Sequence, residues 1–139
     1  MTFIPTELRQ FVITRANGYC EYCLLHQIFS IYNHEIDHII AVKHGGKTIE
    51  SNLALACLSC NRHKGSDFAT LDLDTGDVIR LFHPRQQRWS EHFVLNYATI
   101  EGVTRTGQAT ARLLQFNTRK RLLDRQRLIA SGNYPRLRG

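Results

Sequence analysis

The chain has 139 residues, 42% of them hydrophobic, and a formal net charge of +6 at pH 7. That length suits one core and is short for two. No apolar run approaches the roughly 18 residues of a membrane span, and no charged segment followed by an apolar stretch opens the chain, so the expectation is one soluble, cytoplasmic domain over residues 1–139.

The charge is unevenly placed. Residues 118–139 hold seven of the eighteen Lys/Arg (Arg119, Lys120, Arg121, Arg125, Arg127, Arg136 and Arg138) against Asp124 alone, so the whole excess lies at that end. A basic end suits a polyanion through counterion release; a solvated helix face has the same composition.

In chain order, Leu8, Phe11, Val12 and Arg15 have helical spacing between Pro5 and about Ala16, with Asn17-Gly18 as the stop. Residues 27–33 read as irregular or a short strand, and 35–41 (Glu-Ile-Asp-His-Ile-Ile-Ala) as a strand. Lys43 to Thr48, with Gly45-Gly46, is a loop. Ser51 to Ala56 returns as a second strand, and a short helix is expected from Asn61 to about Phe68. Beyond it, Asp72 to Phe82 reads as a hairpin turning at Asp74–Asp77, with Gly76 in the turn. Phe93 to Val103 reads as another, with Trp89 packed between the two. A helix starting at Thr106-Gly107 and a last one capped by Thr118, with Leu122 and Ile129 inward, complete the chain.

Four cysteines stand in two Cys-x-x-Cys pairs, Cys20/Cys23 and Cys57/Cys60, with 33 residues between the pairs. In a reducing compartment this spacing points to a metal rather than to disulfides. Two tight turns offering two thiolates each make a tetrahedral Zn²⁺ site with no open position, hence a structural one. Buried free thiols or a single redox pair are the alternatives, and the redox reading lacks a thioredoxin-like context.

Between the pairs lie Asp37-His38-Ile39, Gly45-Gly46, Asn52-Leu53 and Cys60-Asn61-x-x-Lys64-Gly65. With the framing Cys20/Cys23, these resemble the zinc-bearing HNH endonucleases of the ββα-metal (His-Me finger) fold, over roughly residues 15–66. The resemblance implies an α+β fold with that small core; residues 67–139, outside it, read as an accessory extension of hairpins and helices. It also implies phosphodiester hydrolysis, most naturally of DNA with RNA left open, assisted by one divalent cation. On that scheme His38 is the general base, Asp37 and Asn61 hold Mg²⁺ or another divalent cation, and Asn52 braces the loop and orients His38 through a backbone contact.

The third motif position is Asn61, so the variant is His-Asn-Asn. An amide oxygen still suits a hard cation beside a carboxylate, whereas nickel or zinc would favour imidazole. His63 is the alternative third residue, pointing roughly 200° away if the helix starts at Asn61. Lys64, one turn on, reads as a phosphate contact or a solvated lysine, and His44 as a candidate DNA contact in the loop. His26, His34, His83 and His92 have no assignable partners. Independently of the family, a neutral imidazole with a pKa near ~6.5 beside a cation-binding carboxylate can activate water. The competing reading is a zinc-stabilised nucleic-acid-binding module without cleavage. Oligomeric state is not legible.

Overall fold

The computed structural model describes residues 3–135; Arg136 and Arg138 of the basic end lie outside the described residues. Helix α1 (Thr6–Ala16) ends where Asn17 takes a left-handed conformation at φ 55°. Two short strands, β1 (Glu35–His38) and β2 (Leu53–Ala56), pair antiparallel with Glu35 opposite Ala56 and His38 opposite Leu53. Helix α2 (Leu58–Lys64) follows directly.

The alternation along β2 explains how these pieces stack. Leu53 and Leu55 join Val12 and Ala16 of α1 in one buried cluster, with Ile36 of β1 packed on it. Ala54 and Ala56 face the other way, into the cluster that holds the four cysteines. Successive side chains of a strand point to opposite faces, so Glu35 and Asp37 share the face of their cross-strand partners Ala56 and Ala54. Two alanines opposite two carboxylates leave the space into which α2 brings its polar side chains.

Helix α2 starts three residues earlier than the expected Asn61 and stops at Lys64. Cys57 caps it, its Sγ accepting the Cys60 N–H, so the second pair of thiols occupies the helix's first turn. Gly65, at φ 54°, ends it.

The connection from β1 to β2 makes two 3-10 turns, Val42–His44 and Glu50–Asn52. Gly45 sits at φ 94°. A Cβ on Gly46 would lie 1.7 Å from the Ile40 carbonyl oxygen, so only glycine passes there.

The remainder of the chain forms a hairpin β3 (Ala69–Leu71)/β4 (Val78–Arg80), the short helix α3 (Trp89–His92), a hairpin β5 (Phe93–Asn96)/β6 (Thr99–Gly102), and helices α4 (Arg105–Leu113) and α5 (Arg119–Ala130). The first hairpin begins earlier than the sequence pattern suggests because Asp72 belongs to its turn, where Oδ1 accepts the N–H groups of Asp74 and Thr75. Helix α4 starts at Arg105, one residue before the expected Thr106, and is capped by Thr104.

This half is not merely laid against the first. Phe82, Phe93, Leu114 and Phe116 share one buried cluster with the cysteines and Tyr22. Helix α5 packs through an unexpected residue: Leu122 and Ile129 are only half-buried, whereas Arg125 is buried. Its guanidinium donates to the carbonyls of Ala98 at 2.6 Å and Phe116 at 2.7 Å.

Candidate active site and metal centre

The four cysteine sulfurs lie within 4.8 Å of one another, and all four residues are buried. Cys23 Sγ and Cys57 Sγ are 3.6 Å apart, close to the edge of a tetrahedron built on Zn–S bonds of about 2.3 Å. In each pair the N–H of the second cysteine points at the first sulfur, Cys23 to Cys20 and Cys60 to Cys57, both at 3.4 Å. The donor set and its spacing fit one zinc ion held by both pairs.

The first pair is tied to β2 through the residue between its cysteines. Glu21 grips the Leu55 backbone twice: its N–H donates to the Leu55 carbonyl and its carboxylate accepts the Leu55 N–H, both at 2.8 Å. The same carboxylate is ion-paired with Arg85. Tyr22 is buried beside it, with its hydroxyl donating to Asp37 at 2.7 Å.

Along β1 and α2 the polar side chains form two rungs. Glu35 accepts from the Asn61 amide at 3.0 Å. One helical turn later Lys64 donates to Asp37 and to the His38 carbonyl, each at 3.2 Å. Lys64 is only 1% exposed, so it is neither the phosphate contact nor the solvated lysine expected from sequence. Asp37 accepts from Tyr22 on one oxygen and Lys64 on the other. Burial raises the Asp37 pKa, opposed by Lys64 and Tyr22.

His38 stands at the end of β1, half-buried, with Nε2 2.9 Å from Thr48 Oγ1. Its Nδ1 has no partner among the described residues. Burial lowers its pKa, Asp37 opposes that shift, and Lys64 adds to it. Both burial and Lys64 thus favour the neutral ring.

Asn52 is buried and braces the loop. Its amide donates to the carbonyls of Ile40 and Lys47, and its Oδ1 accepts the Ile40 N–H, all at 2.9 Å. Its own carbonyl takes the Ile39 N–H at 2.8 Å. The brace thus grips the two residues after His38 and fixes the strand end from which the imidazole projects.

Glu35, Asp37, His38 and Asn61 line one open groove of about 710 Å³, together with Arg9 of α1. The Asn61 Oδ1 has no hydrogen bond among the described residues, and each Asp37 oxygen retains a lone pair beyond its single donor. Carboxylate and amide oxygens are the donor types that a hard divalent cation takes.

His63 is exposed and bends back to the Ser59 carbonyl at 2.8 Å, off the groove. His44 is exposed, its ring edge-on to Phe68 at 5.2 Å. The other histidines have structural partners: His26 accepts the Ile28 N–H, His34 lies 2.8 Å from the Leu25 carbonyl, His83 accepts the Arg85 N–H, and His92 meets Thr104.

Four groove or site residues are missing from the sequence expectations. Glu35 had a usable signal, since it sits two residues before Asp37 and must share its strand face. Tyr22 and Thr48 had none, because a buried tyrosine between cysteines and a loop threonine look like packing and turn residues. Arg9 was hidden in a helix whose pattern speaks only of support.

Residues 20–67 match the family model described as HNH endonuclease, a span that contains all four cysteines and both rungs. A comparison with curated proteins gives no match.

Proposed function

Taking residues 20–67 as an HNH endonuclease segment, we propose that the chain is a divalent-cation-dependent nuclease that hydrolyses phosphodiester bonds, with DNA as its substrate. We read residues 1–139 as one domain in which the zinc site is structural. The observation that carries this reading is the one groove that His38 lines together with Asp37 and Asn61.

On this reading Thr48 Oγ1 accepts a hydrogen bond from His38 Nε2–H, which leaves the lone pair on Nδ1. That nitrogen takes a proton from a water molecule as the water oxygen forms its bond to phosphorus. The P–O ester bond on the far side breaks, its electrons go to the leaving oxygen, and solvent protonates that oxygen. Asp37 and Asn61 would hold the cation, which when bound neutralises charge on the phosphoryl and leaving oxygens. Glu35 accepts from the Asn61 amide nitrogen, which would leave Oδ1 for the cation. Arg9, exposed and on the groove wall, places a positive charge where the substrate backbone passes.

The test is nicking of supercoiled plasmid with and without Mg²⁺. Wild type should nick only with the cation, and His38→Ala should lose about 10²–10⁴-fold in rate while keeping its zinc. Near-wild-type cleavage by His38→Ala would remove the assignment. One observation favours the second reading, a binding module without cleavage: Asp37 is already neutralised by Lys64. On that reading plasmid is bound and never nicked at any Mg²⁺ concentration.

A further inference from the structure

We infer that Arg121 of α5 is part of the metal centre, a guanidinium in the outer sphere of the four-thiolate site through which the C-terminal helix governs metal retention and sulfur reactivity. Its Nη2 lies 3.1 Å from Cys60 Sγ and 3.8 Å from Cys57 Sγ. The other nitrogen, Nη1, donates to the carbonyls of Leu114 at 2.9 Å and Gln115 at 3.1 Å. The Phe116 ring lies beside the guanidinium, 5.7 Å from its carbon to the centroid. The side chain is therefore aimed by three groups of its own half of the chain, and sulfur lies at the end of that aim.

Charge explains why a cation belongs there. Four thiolates and one divalent ion leave two net negative charges in a site that burial has cut off from water. Among the described residues, backbone N–H groups serve only Cys20 and Cys57. Arg121 serves Cys60, and among the described residues no other charged side chain donates to these sulfurs.

The rest of the extension closes around the first pair in the same way. Trp89 Nε1 donates to the Tyr22 carbonyl and the Tyr134 hydroxyl to the Cys23 carbonyl, both at 2.8 Å. Outer-sphere partners of metal ligands typically contribute 10–100-fold in metal affinity. A cationic hydrogen bond on a thiolate also lowers its nucleophilicity by stabilising the sulfur lone pair.

The experiment uses the full chain as Arg121→Met and Arg121→Lys. Zinc affinity is read by chelator competition, thiolate reactivity by the rate of N-ethylmaleimide alkylation, and sulfur electronics by the charge-transfer band of the cobalt(II)-substituted protein. For Arg121→Met we expect zinc affinity to fall about 10–100-fold, alkylation to accelerate, and the cobalt band to move to lower energy. Arg121→Lys, which keeps the charge and loses the fork, should fall between. Wild-type affinity, alkylation and cobalt band in Arg121→Met would overturn the inference even if its melting temperature drops, because the arginine would then serve only the two carbonyls. If Arg121→Met does not fold, Arg121→Lys decides by the same readings: an unshifted band with unchanged affinity overturns it. None of these measurements depends on nuclease activity, so this inference and the nuclease reading fail separately.

Discussion

The pH behaviour of the groove follows from one ring. A base works only while it holds a lone pair, and the folded protein depresses the His38 pKa below the ordinary imidazole value of about 6.5. Cleavage should therefore fall as pH drops, with its acid midpoint below about 6.5 and a limiting slope of one. A pH–rate profile of kcat/KM checks this, and a midpoint above about 7 would point to another group. Glu35 gives a sharper residue-level test. Glu35→Gln keeps an acceptor oxygen for the Asn61 amide, while Glu35→Ala does not. If the role is to orient Asn61, Glu35→Gln should retain most Mn²⁺ affinity measured by electron paramagnetic resonance, and Glu35→Ala should lose it; equal loss in both would mean that the charge itself binds the cation. Gly46 is constrained by contact alone: a Cβ there meets the Ile40 carbonyl at 1.7 Å. Gly46→Ala should cost about 3 kcal/mol in urea denaturation, since backbone, not a pliable side chain, stands in the way.

Between elements, the decisive contact is the pair of rungs that clamps β1 to α2. The lower rung is an ion pair between side chains only 1% and 4% exposed. Removing one member strands the other without a partner, so Lys64→Met should destabilise by about 3–5 kcal/mol, and adding Asp37→Asn should recover part of that loss. Equilibrium unfolding of the single and double variants measures it. Here the limits of legibility have physical causes. The motif residues around the cysteines stand in sequence at their own spacing, and strand alternation could have added Glu35. The start of α2 was hidden because a cysteine sulfur, not a Ser, Thr, Asn or Asp, caps it. The role of Lys64 was hidden because its partner lies 27 residues away. Helix α5 misleads for a similar reason: Arg121 and Arg125 look like surface charge, yet both turn inward onto sulfur and carbonyl groups that no local pattern announces.

At the scale of the molecule, two properties depend on the assembled whole. Stripping the metal removes the ligand that both thiol turns share, and zinc-site binding energies of about 10–16 kcal/mol match or exceed the usual stability of a domain. Chelation should therefore unfold the chain cooperatively, read as loss of circular dichroism in step with zinc release. The basic end contributes less to the outer field than its composition suggests. With Arg121 and Arg125 internal, and Lys120 and Arg127 sharing Asp124 at 2.9 and 3.9 Å, Arg119 is the described tail cation most open to a polyanion. Changing Arg119, Lys120 and Arg127 to Gln should flatten the salt dependence of DNA binding by roughly 0.9 for each duplex phosphate that is no longer neutralised. An unchanged slope would assign these side chains to solvent.

The closure of the metal centre by late residues has a bearing on how the protein is made. Tyr134 lies 111 positions after the Cys23 carbonyl that it caps, and Arg121 lies 61 after Cys60. Loops of that length close slowly relative to local turns. While the chain is being translated, both thiol turns emerge well before the tyrosine and arginine that finish their surroundings. During that interval the sulfurs are nascent, open to oxidants and to competing metals. On the role inferred for Arg121, secure loading of zinc would follow the emergence of α5, and a ribosome-stalled intermediate ending before α5 should exchange its metal freely.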